Sequence, residues 1–450
     1  MLEVVVIGGD ACGASAASGV KRALKQDVHV TVLERQDWTS YSACGIPYWV
    51  AGEVEGPEGL VARSPEAHRA NGLDLRTGWE VTSIDPGART VTALDRSDGA
   101  THTLAFDHLV IGTGATPLRP PIPGIDLPGV HAVHTLDDGL AIVAALDRGV
   151  QRAVVVGAGY IGIEMAEAMC ARGVEASVVD LAAQPMATLD PDMGALITEA
   201  MAARGMTFHG GHAVEAFEAG PDGRVARVVT AGGSHEADLV LMGLGVRPNS
   251  DLAAEAGLPI GERGGILTDE RMQVLGFPGI WAGGDCVEVI DRITGQRRHV
   301  ALGTHANKHG RVIAANITGG DLAFPGIVGT AVSKFCDLEV SRVGLREAEA
   351  RELGLDVVAA RVAASTRAHY LPSSGPIHVK VIAERGTGRL LGCQIVGAAS
   401  SGKRIDAATV AIWNQMTVED VVGLDLAYAP PFSPVWDPVQ IAARKAAGML

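Results

Sequence analysis

The chain has 450 residues, of which 47% are hydrophobic and 20% are charged, so two or three domains with buried cores are expected. Its formal net charge of -15 at pH 7 argues against a nucleic-acid partner, because binding to a phosphate backbone requires clustered positive charge. No apolar run approaches the ~20 residues of a membrane-spanning helix, and the chain begins with an apolar strand rather than a basic leader. These features predict a soluble, cytoplasmic protein.

The cysteines are widely scattered, with no C-x-x-C pair and no histidine–cysteine cluster at the spacing of metal ligands. They are Cys12, Cys44, Cys170, Cys286, Cys336 and Cys393. This distribution predicts a reducing compartment and no metal. Except for Cys44, none lies in a redox motif, and Cys170, Cys336 and Cys393 are expected to fill the core.

The first predicted unit is an apolar strand at 4–7, a glycine-rich turn, a helix of small residues at 14–24 and a second strand at 28–33. This order is typical of a dinucleotide-binding fold, in which the turn holds a pyrophosphate and an acid after the second strand binds a ribose. Glu34 is that acid. Asp10 stands where the second glycine of the pattern normally lets the backbone approach the pyrophosphate, and a helix-capping turn is the alternative interpretation.

A lone cysteine, Cys44, follows in the run Ser-Tyr-Ser-Ala-Cys-Gly-Ile-Pro-Tyr at 40–48. Gly45 and Pro47 are compatible with the start of a helix, since proline suits the first helical turn. A helix dipole at that position would favour the thiolate, which is the form of cysteine that attacks disulfides. The run therefore predicts a redox thiol, and a buried apolar cysteine is the alternative.

The second predicted unit has a strand at 153–156, a complete three-glycine turn at 157–162 and a helix at 163–171. Its next strand, at 176–179, closes with Asp180, and no arginine or lysine follows directly to hold a 2'-phosphate. The pattern therefore favours NADH over NADPH. A structural glycine turn that binds nothing is the alternative.

Further strands near 109–111, 241–244 and 280–282 end in glycine-rich turns on both sides of the second unit. This order predicts that the first domain is discontinuous and that the second is inserted into it. The predicted boundaries are 1–118 and 248–323 for the first domain, 119–247 for the second and 324–450 for a third.

The order of these motifs resembles the pyridine nucleotide-disulfide oxidoreductases over nearly the whole chain. The motifs are the two glycine turns, the cysteine run at 40–48, Thr-Gly-Ala at 113–115, Gly-Gly-Asp at 283–285 and Leu-Gly-Thr at 302–304. The resemblance is to the single-cysteine branch, which contains coenzyme A disulfide reductase, NADH oxidase, NADH peroxidase and persulfide or polysulfide reductase. It implies an α/β fold with two Rossmann-like domains, for FAD and NADH, and an α+β C-terminal dimerisation domain.

The resemblance also implies individual cofactor contacts. Those for FAD are Gly8, Gly9, Asp10, Ala11, Gly13, Glu34, Arg35, Val81, Thr113, Gly114, Asp285, Leu302, Gly303 and Thr304. Those for NADH are Gly157, Gly159, Tyr160, Ile161, Gly162, Asp180 and Gly245.

The resemblance implies that the C-terminal domain of a partner subunit completes the active site of a homodimer. Two tyrosines, Tyr370 and Tyr428, would lie beside Cys44, where a hydroxyl can protonate a departing thiolate. Coenzyme A would be bound by residues of both subunits, namely Ser15, Arg22 and Ser40 from one and Trp436 and Arg444 from the other. Ala43 and Gly19 depart from the polar residues that relatives often carry at these positions.

Three absences narrow the chemistry. Trp49 stands where dithiol members carry a second cysteine, no histidine follows His378, and Ala11 stands where oxidases and peroxidases typically carry a histidine. The leading prediction is an FAD enzyme that uses NADH to reduce a small disulfide, above all coenzyme A disulfide, through a mixed disulfide on Cys44. Persulfide or polysulfide reduction and oxygen reduction are the alternatives, and a reductase of an electron-transfer protein is the rival of another class.

Overall fold

The computed structural model describes all 450 residues. None of its helices combines the length and the apolar character needed to cross a lipid bilayer. The strands of the first segment are β1 (Leu2–Ile7), β2 (Val28–Glu34), β3 (Asp74–Thr77), β4 (Trp79–Asp85), β5 (Thr90–Asp95), β6 (Thr101–Ala105), β7 (His108–Ile111) and β8 (Ala115–Pro117). Its helices are α1 (Ala11–Leu24), α2 (Ile46–Ala51) and α3 (Pro65–Ala70).

The middle of the chain continues the alternation of strands and helices. Its strands are β9 (Val130–Ala132), β10 (Arg152–Val156), β11 (Glu175–Asp180), β12 (Thr207–Gly210), β13 (Val214–Ala219), β14 (Val225–Thr230), β15 (Gly233–Glu236), β16 (Leu239–Met242), β17 (Val246–Pro248), β18 (Ile266–Leu267), β19 (Ile280–Ala282), β20 (Val287–Ile290) and β21 (Arg297–His299). Its helices are α4 (Leu136–Asp147), α5 (Tyr160–Ala171), α6 (Pro191–Ala203), α7 (Asp251–Glu255) and α8 (Gly303–Ile317).

The last segment is rich in antiparallel strands. These are β22 (Ala331–Phe335), β23 (Leu338–Gly344), β24 (Val357–Ser365), β25 (Pro376–Glu384) and β26 (Leu390–Gly397). Its helices are α9 (Glu347–Glu352), α10 (Ile405–Trp413), α11 (Val418–Val422) and α12 (Pro438–Ala447).

The first domain is built around a parallel sheet in the order β19-β7-β1-β2-β3. Val6 of β1 lies opposite Val32 of β2 on one side and Val110 of β7 on the other. The central strand β1 is buried on both faces over Val4–Ile7, as is typical of parallel sheets with helices packed above and below. Because β19 comes after the second glycine turn in the chain, this sheet draws on two separate segments, and the second domain is inserted into the first.

The second domain repeats the arrangement with a parallel sheet in the order β12-β11-β10-β16-β9. Val155 of β10 lies between Val178 of β11 and Leu241 of β16. In both domains the central strand leads directly into a glycine turn, so each turn lies at the carboxyl edge of its sheet. This edge is where open α/β sheets bind ligands.

Helices α1 and α5 each begin three residues before the predicted starts at 14 and 163, so the predicted bounds are wrong at these ends. The last glycine of each turn, Gly13 or Gly162, already lies in the first helical turn. A Cβ there would overlap the carbonyl oxygen of Gly8 or Gly157, respectively. These glycines are therefore required by close packing inside the helix start, which composition alone does not reveal.

The third domain is a mixed unit of a five-stranded antiparallel sheet, in the order β22-β23-β26-β25-β24, and helices. Central positions such as Val379 and Ile395 are completely buried, and α10 and α12 cover them. This antiparallel sheet, together with the helices that cover it, gives the C-terminal region its α+β fold. The exact domain boundaries at 118, 247 and 323 stay predictions.

Candidate active site

One cavity of ≈ 1700 Å³ joins the two glycine turns and the loop of Cys44. Small-molecule pockets usually measure about 300–1,000 Å³, so this cavity has room for more than one extended ligand. Many predicted site residues line it. They are Asp10, Ala11, Ser15, Arg22, Ser40, Cys44, Gly114, Gly157, Gly159, Tyr160, Ile161, Asp180, Gly245, Asp285, Leu302 and Gly303.

Other predicted residues lie behind the wall of the cavity or away from it. Gly8, Gly9, Gly13 and Gly162 form the inner sides of the turns, and Val81 pairs with Ala93 in the antiparallel sheet of β4, β5 and β6. The others that do not line the cavity are Glu34, Arg35, Thr113, Thr304, Tyr370, Tyr428, Trp436 and Arg444. Their roles stay predictions.

In the first glycine turn, Gly8 has a φ of +95°, and a Cβ there would overlap the carbonyl oxygen of Gly112. The carboxylate of Glu34 accepts hydrogen bonds from the Gly9 N–H at 2.7 Å and from the Gln36 N–H at 2.8 Å. Burial raises the pKa of Glu34, and these donors oppose the rise. The acid therefore braces the turn against the strand that carries it.

Asp10 directly precedes α1, and its side chain makes no capping hydrogen bond to that helix. It lines the cavity at the start of that helix. Burial raises its pKa to about 7, and the carboxylates of Glu34 and Asp285 add to the rise. Asp10 therefore titrates near neutral pH at the place where a diphosphate would approach.

The second glycine turn repeats this construction. Gly157 has a φ of +97°, and the carboxylate of Asp180 accepts hydrogen bonds from the Ala158 N–H and, at 2.7 Å, from the Ala182 N–H. Gly159 stands directly before α5 and lines the cavity. The N–H groups at the start of a helix form a site for phosphate, so the turn fits a second dinucleotide.

Cys44 lies in a short 3₁₀ turn, Ala43–Gly45, just before α2. Its thiol is exposed within the cavity. The surrounding protein nevertheless excludes enough water to raise its pKa, and the carboxylates of Glu164 and Asp285 raise it further. The prediction that a helix dipole favours the thiolate stays a prediction, since α2 has only six residues and burial raises the pKa of Cys44 in this chain.

The residues at 2–310 match the family model described as pyridine nucleotide-disulphide oxidoreductase, and those at 330–438 match the dimerisation domain of the same family. The chain belongs to this family.

Three similar proteins cover nearly the whole of this oxidoreductase. The NAD(P)H coenzyme A polysulfide/persulfide reductase of Pyrococcus horikoshii is 40% identical over 98% of each chain. The NADH oxidase of Methanocaldococcus jannaschii is 36% identical over 99% of this chain and 98% of its own. The structure of a NAD-dependent persulfide reductase from A. fulgidus is 38% identical, covers 100% of this chain and 83% of its own, and superposes with a TM-score of 0.96.

The oxidoreductase is an enzyme that uses FAD and a nicotinamide nucleotide. The two tight glycine turns fit these cofactors, since each exposes the start of a helix to the cavity and an acid at a strand end braces it. When bound, FAD would carry an electron pair from the nicotinamide to the thiol region.

The structure adds cavity residues that the sequence did not single out. Arg63 and Arg311 line the cavity together with Arg22, although they come from three separate segments of the chain. His68 is buried at 2% exposure, and its Nε2 is 2.8 Å from the Ser40 Oγ. No spacing in the sequence could have revealed this group, because the three-dimensional fold alone brings its members together.

The four predicted residues of the C-terminal domain lie on the surface of the subunit. Tyr370 is 64% exposed, Tyr428 49% and Trp436 43%, and the guanidinium of Arg444 lies 5.0 Å from the centre of the Trp436 ring. Large exposed aromatic side chains of this kind are common in interfaces. Within one subunit none of them reaches the cavity of Cys44.

The remaining cysteines differ in burial. Cys12, Cys286 and Cys393 are buried, which confirms the expectation for Cys393. Cys170 and Cys336 are only half-buried, so the expectation that they fill the core is wrong. Both lie at the edge of the cluster around α5, where solvent reaches them.

Proposed function

We propose that this oxidoreductase uses NADH to reduce coenzyme A disulfide through a mixed disulfide on Cys44. The observation that carries the proposal is the accessible thiol of Cys44 in one cavity with both glycine turns. Within one such cavity, electrons can pass from the bound nicotinamide through FAD to the thiol of Cys44. The absence of basic residues directly after Asp180 supports NADH over NADPH.

The first step is an attack of the Cys44 thiolate on one sulfur of the substrate. A new sulfur–sulfur bond forms to Cys44, the substrate bond breaks, and one coenzyme A thiolate leaves and takes a proton. Two electrons and a further proton then release the second thiol and restore Cys44. Burial, and to a smaller extent Glu164 and Asp285, raises the pKa of Cys44, so the thiol must give up a proton before it attacks.

Recognition of coenzyme A would rest on the arginines at the open side of the cavity. Arg22, Arg63 and Arg311 are exposed there, and none of them forms an ion pair within the chain. Guanidinium groups bind phosphate through paired hydrogen bonds, and coenzyme A carries a 3'-phosphate and a diphosphate. Ser15 and Ser40 add hydroxyl groups to the same wall.

Gly19 does not oppose this proposal, although relatives often carry a polar residue at this position. A Cβ at Gly19 would lie 2.5 Å from the Cβ of Ala314, because α8 packs closely against α1. The small residue is therefore required by the packing of two helices. The phosphate-binding role falls to the arginines on either side.

In a homodimer, Tyr370 and Tyr428 from the partner subunit would complete the site as proton donors to the departing thiolate. Their exposure in the single subunit supports this arrangement, and so does the dimerisation domain that the chain contains.

Reduction of a persulfide or polysulfide is the second candidate, and the names of the Pyrococcus and A. fulgidus proteins favour it. It uses the same attack by Cys44 on a sulfur–sulfur bond. The two candidates differ in whether the cavity arginines bind the substrate, because inorganic polysulfide carries no phosphate.

The test is anaerobic oxidation of NADH by the FAD-loaded protein with coenzyme A disulfide or inorganic polysulfide, for the wild type, Cys44→Ser and Arg63→Ala. We expect turnover of coenzyme A disulfide that Cys44→Ser abolishes, and a KM that rises in Arg63→Ala with little change in kcat. Turnover of polysulfide alone, unchanged in Arg63→Ala, would favour the second candidate. If neither compound is reduced, but an electron-transfer protein added in their place is reduced by the wild type and by Cys44→Ser, both candidates are overturned.

A further inference from the structure

Ser40 lies in the wall of the cavity, in the same loop as Cys44, with a backbone conformation that does not suit a serine. Its φ is +50°, in the left-handed region where glycine and asparagine are favoured. A residue in such a conformation has to be held there by its surroundings. The Ser40 hydroxyl makes one hydrogen bond within the chain, and its partner is the ring of His68.

The main chain of Ser40 is fixed beside the segment that carries His68. The Ser40 carbonyl oxygen accepts a hydrogen bond from the Ala62 N–H at 2.8 Å. Two residues further along, Ser64 caps helix α3 with its hydroxyl, and His68 lies within that helix. These bonds hold the serine hydroxyl and the imidazole at a fixed separation.

The ring of His68 is buried, and its two nitrogens have different surroundings. Nε2 lies 2.8 Å from the Ser40 Oγ, whereas the buried Nδ1 has no hydrogen-bond partner. Burial lowers the pKa of His68 and the charge of Arg63 lowers it further, so the ring is neutral near pH 7 and carries one N–H. Because a buried N–H without a partner is rarer in proteins than a buried acceptor without one, the proton belongs on Nε2.

This tautomer determines what the Ser40 hydroxyl can do. When His68 donates from Nε2, the Ser40 Oγ accepts that bond, and the hydroxyl proton has no acceptor within the chain. The proton can therefore be donated only to an atom inside the cavity. Arg63 lines the same cavity and directly follows Ala62, which holds the Ser40 carbonyl. An acceptor with negative charge would meet both the hydroxyl and the guanidinium.

We propose that His68 is a positioning residue for substrate recognition, which orients Ser40 so that its hydroxyl donates a hydrogen bond to a phosphate oxygen of coenzyme A. This role rests on the proposed function for the identity of the ligand. Phosphate oxygens accept hydrogen bonds, and the guanidinium of Arg63 offers them a positive charge next to the hydroxyl. The arginines attract any anion, whereas a hydroxyl with a fixed proton selects the position of the acceptor atom.

The experiment measures binding of coenzyme A to the full-length, FAD-loaded protein by calorimetry under reducing conditions, so that no turnover is needed. Pantetheine, which lacks the phosphates, is the matched ligand. Ser40→Ala should weaken binding of coenzyme A by about tenfold, and His68→Leu by about threefold because it leaves a hydroxyl that turns freely. Both variants should bind pantetheine as the wild type does.

Two further variants separate positioning from independent contacts. In Ser40→Ala with His68→Leu, binding of coenzyme A should be about tenfold weaker, as in Ser40→Ala alone, whereas independent contacts would make it about thirtyfold weaker. His68→Gln should bind coenzyme A as the wild type does, because the glutamine amide offers an N–H in place of Nε2.

Three results would overturn the positioning role. One is wild-type affinity for coenzyme A in His68→Leu, and another is multiplication of the two effects in the double variant. The third is an equal loss of affinity for coenzyme A and pantetheine in both His68→Leu and His68→Gln, which would show a structural role. In all three cases coenzyme A binds to the wild type and the proposed function stands, whereas absence of that binding would overturn both.

Discussion

The two glycine turns of this oxidoreductase share one backbone design and differ in charge. In each, a glycine with positive φ starts the turn and an acid at the next strand end accepts a turn N–H. At the position before the helix the second turn has Gly159 and the first has Asp10. The second turn therefore presents only backbone to a diphosphate, whereas the first adds a carboxyl group that titrates near pH 7.

The structure explains why a side chain is tolerated at this position. Gly159 has an ordinary φ of -73°, and a Cβ there would meet nothing within 4 Å. The fold itself places no restriction on the residue, so any restriction comes from the ligand. By contrast, the close packing of the turn leaves no room for a side chain at Gly13 or Gly162. These two glycines are therefore needed by the fold, whereas Gly159 is needed only for the ligand.

The largest expected effect comes from substituting the closely packed glycine of each turn and comparing the loss of FAD binding with the loss of NADH binding. Gly13→Ala should weaken FAD binding by about 10- to 100-fold, because the new methyl group overlaps the carbonyl oxygen of Gly8. Gly162→Ala should weaken NADH binding to a similar degree and leave FAD in place. Flavin absorbance after gel filtration and titration with NADH measure the two effects. Equal loss of FAD in both variants would contradict independent sites.

The acid of the second turn should control the choice of nicotinamide nucleotide. Asp180→Ser combined with Leu181→Arg removes a carboxylate that repels a 2'-phosphate and adds a cation that binds one. The ratio of kcat/KM for NADPH to that for NADH should rise by about tenfold. Steady-state rates with both nucleotides measure this ratio, and Leu181→Ala is the matched control. An unchanged ratio would remove Asp180 from the nucleotide site.

Asp10 should make the retention of FAD dependent on pH. Because its pKa is raised to about 7, the carboxyl is neutral below that pH and adds a negative charge near the diphosphate above it. At pH 8, Asp10→Gly should hold FAD about fivefold more tightly than the wild type, and the two should converge near pH 5. Flavin fluorescence on dilution reports the release. Parallel pH profiles would contradict this role.

The same carboxyl also contributes to stability with a defined sign. Its pKa in the folded chain lies above the ordinary value of about 3.9, so the folded state binds more protons between pH 4 and 7. The stabilising contribution is present below about pH 4 and is lost as the pH rises through about 7. Urea unfolding of the apoprotein should show a weaker loss of stability with pH in Asp10→Asn than in the wild type.

The smallest expected effect concerns Cys44, which lies between the two turns. Glu164→Gln removes one of the carboxylates that raise the pKa of Cys44, so alkylation of this thiol by iodoacetamide at neutral pH should accelerate by about twofold. Glu167→Gln, one helical turn further along α5, is the matched control. An unchanged rate in Glu164→Gln would show that Glu164 does not contribute to the pKa of Cys44.

Much of the fold follows from local patterns in the sequence. The strands before both glycine turns, the acids Glu34 and Asp180 and the two-part first domain are recognisable because each depends on residues close in the chain. The helix starts were placed three residues too late because the packing of Gly13 and Gly162 depends on atoms of the preceding turn.

By itself the sequence determined the family, the two nucleotide-binding units and the single thiol of Cys44, because these rest on short spacings that one stretch of chain sets. Only the tertiary structure decided the charges and partners around them. It buried the thiol of Cys44 and brought Glu164 and Asp285 near it, and burial first of all raises the pKa of that thiol. It also gathered the cavity arginines. Electrostatic fields and side-chain contacts depend on distances in space, and residues far apart in the chain supply them.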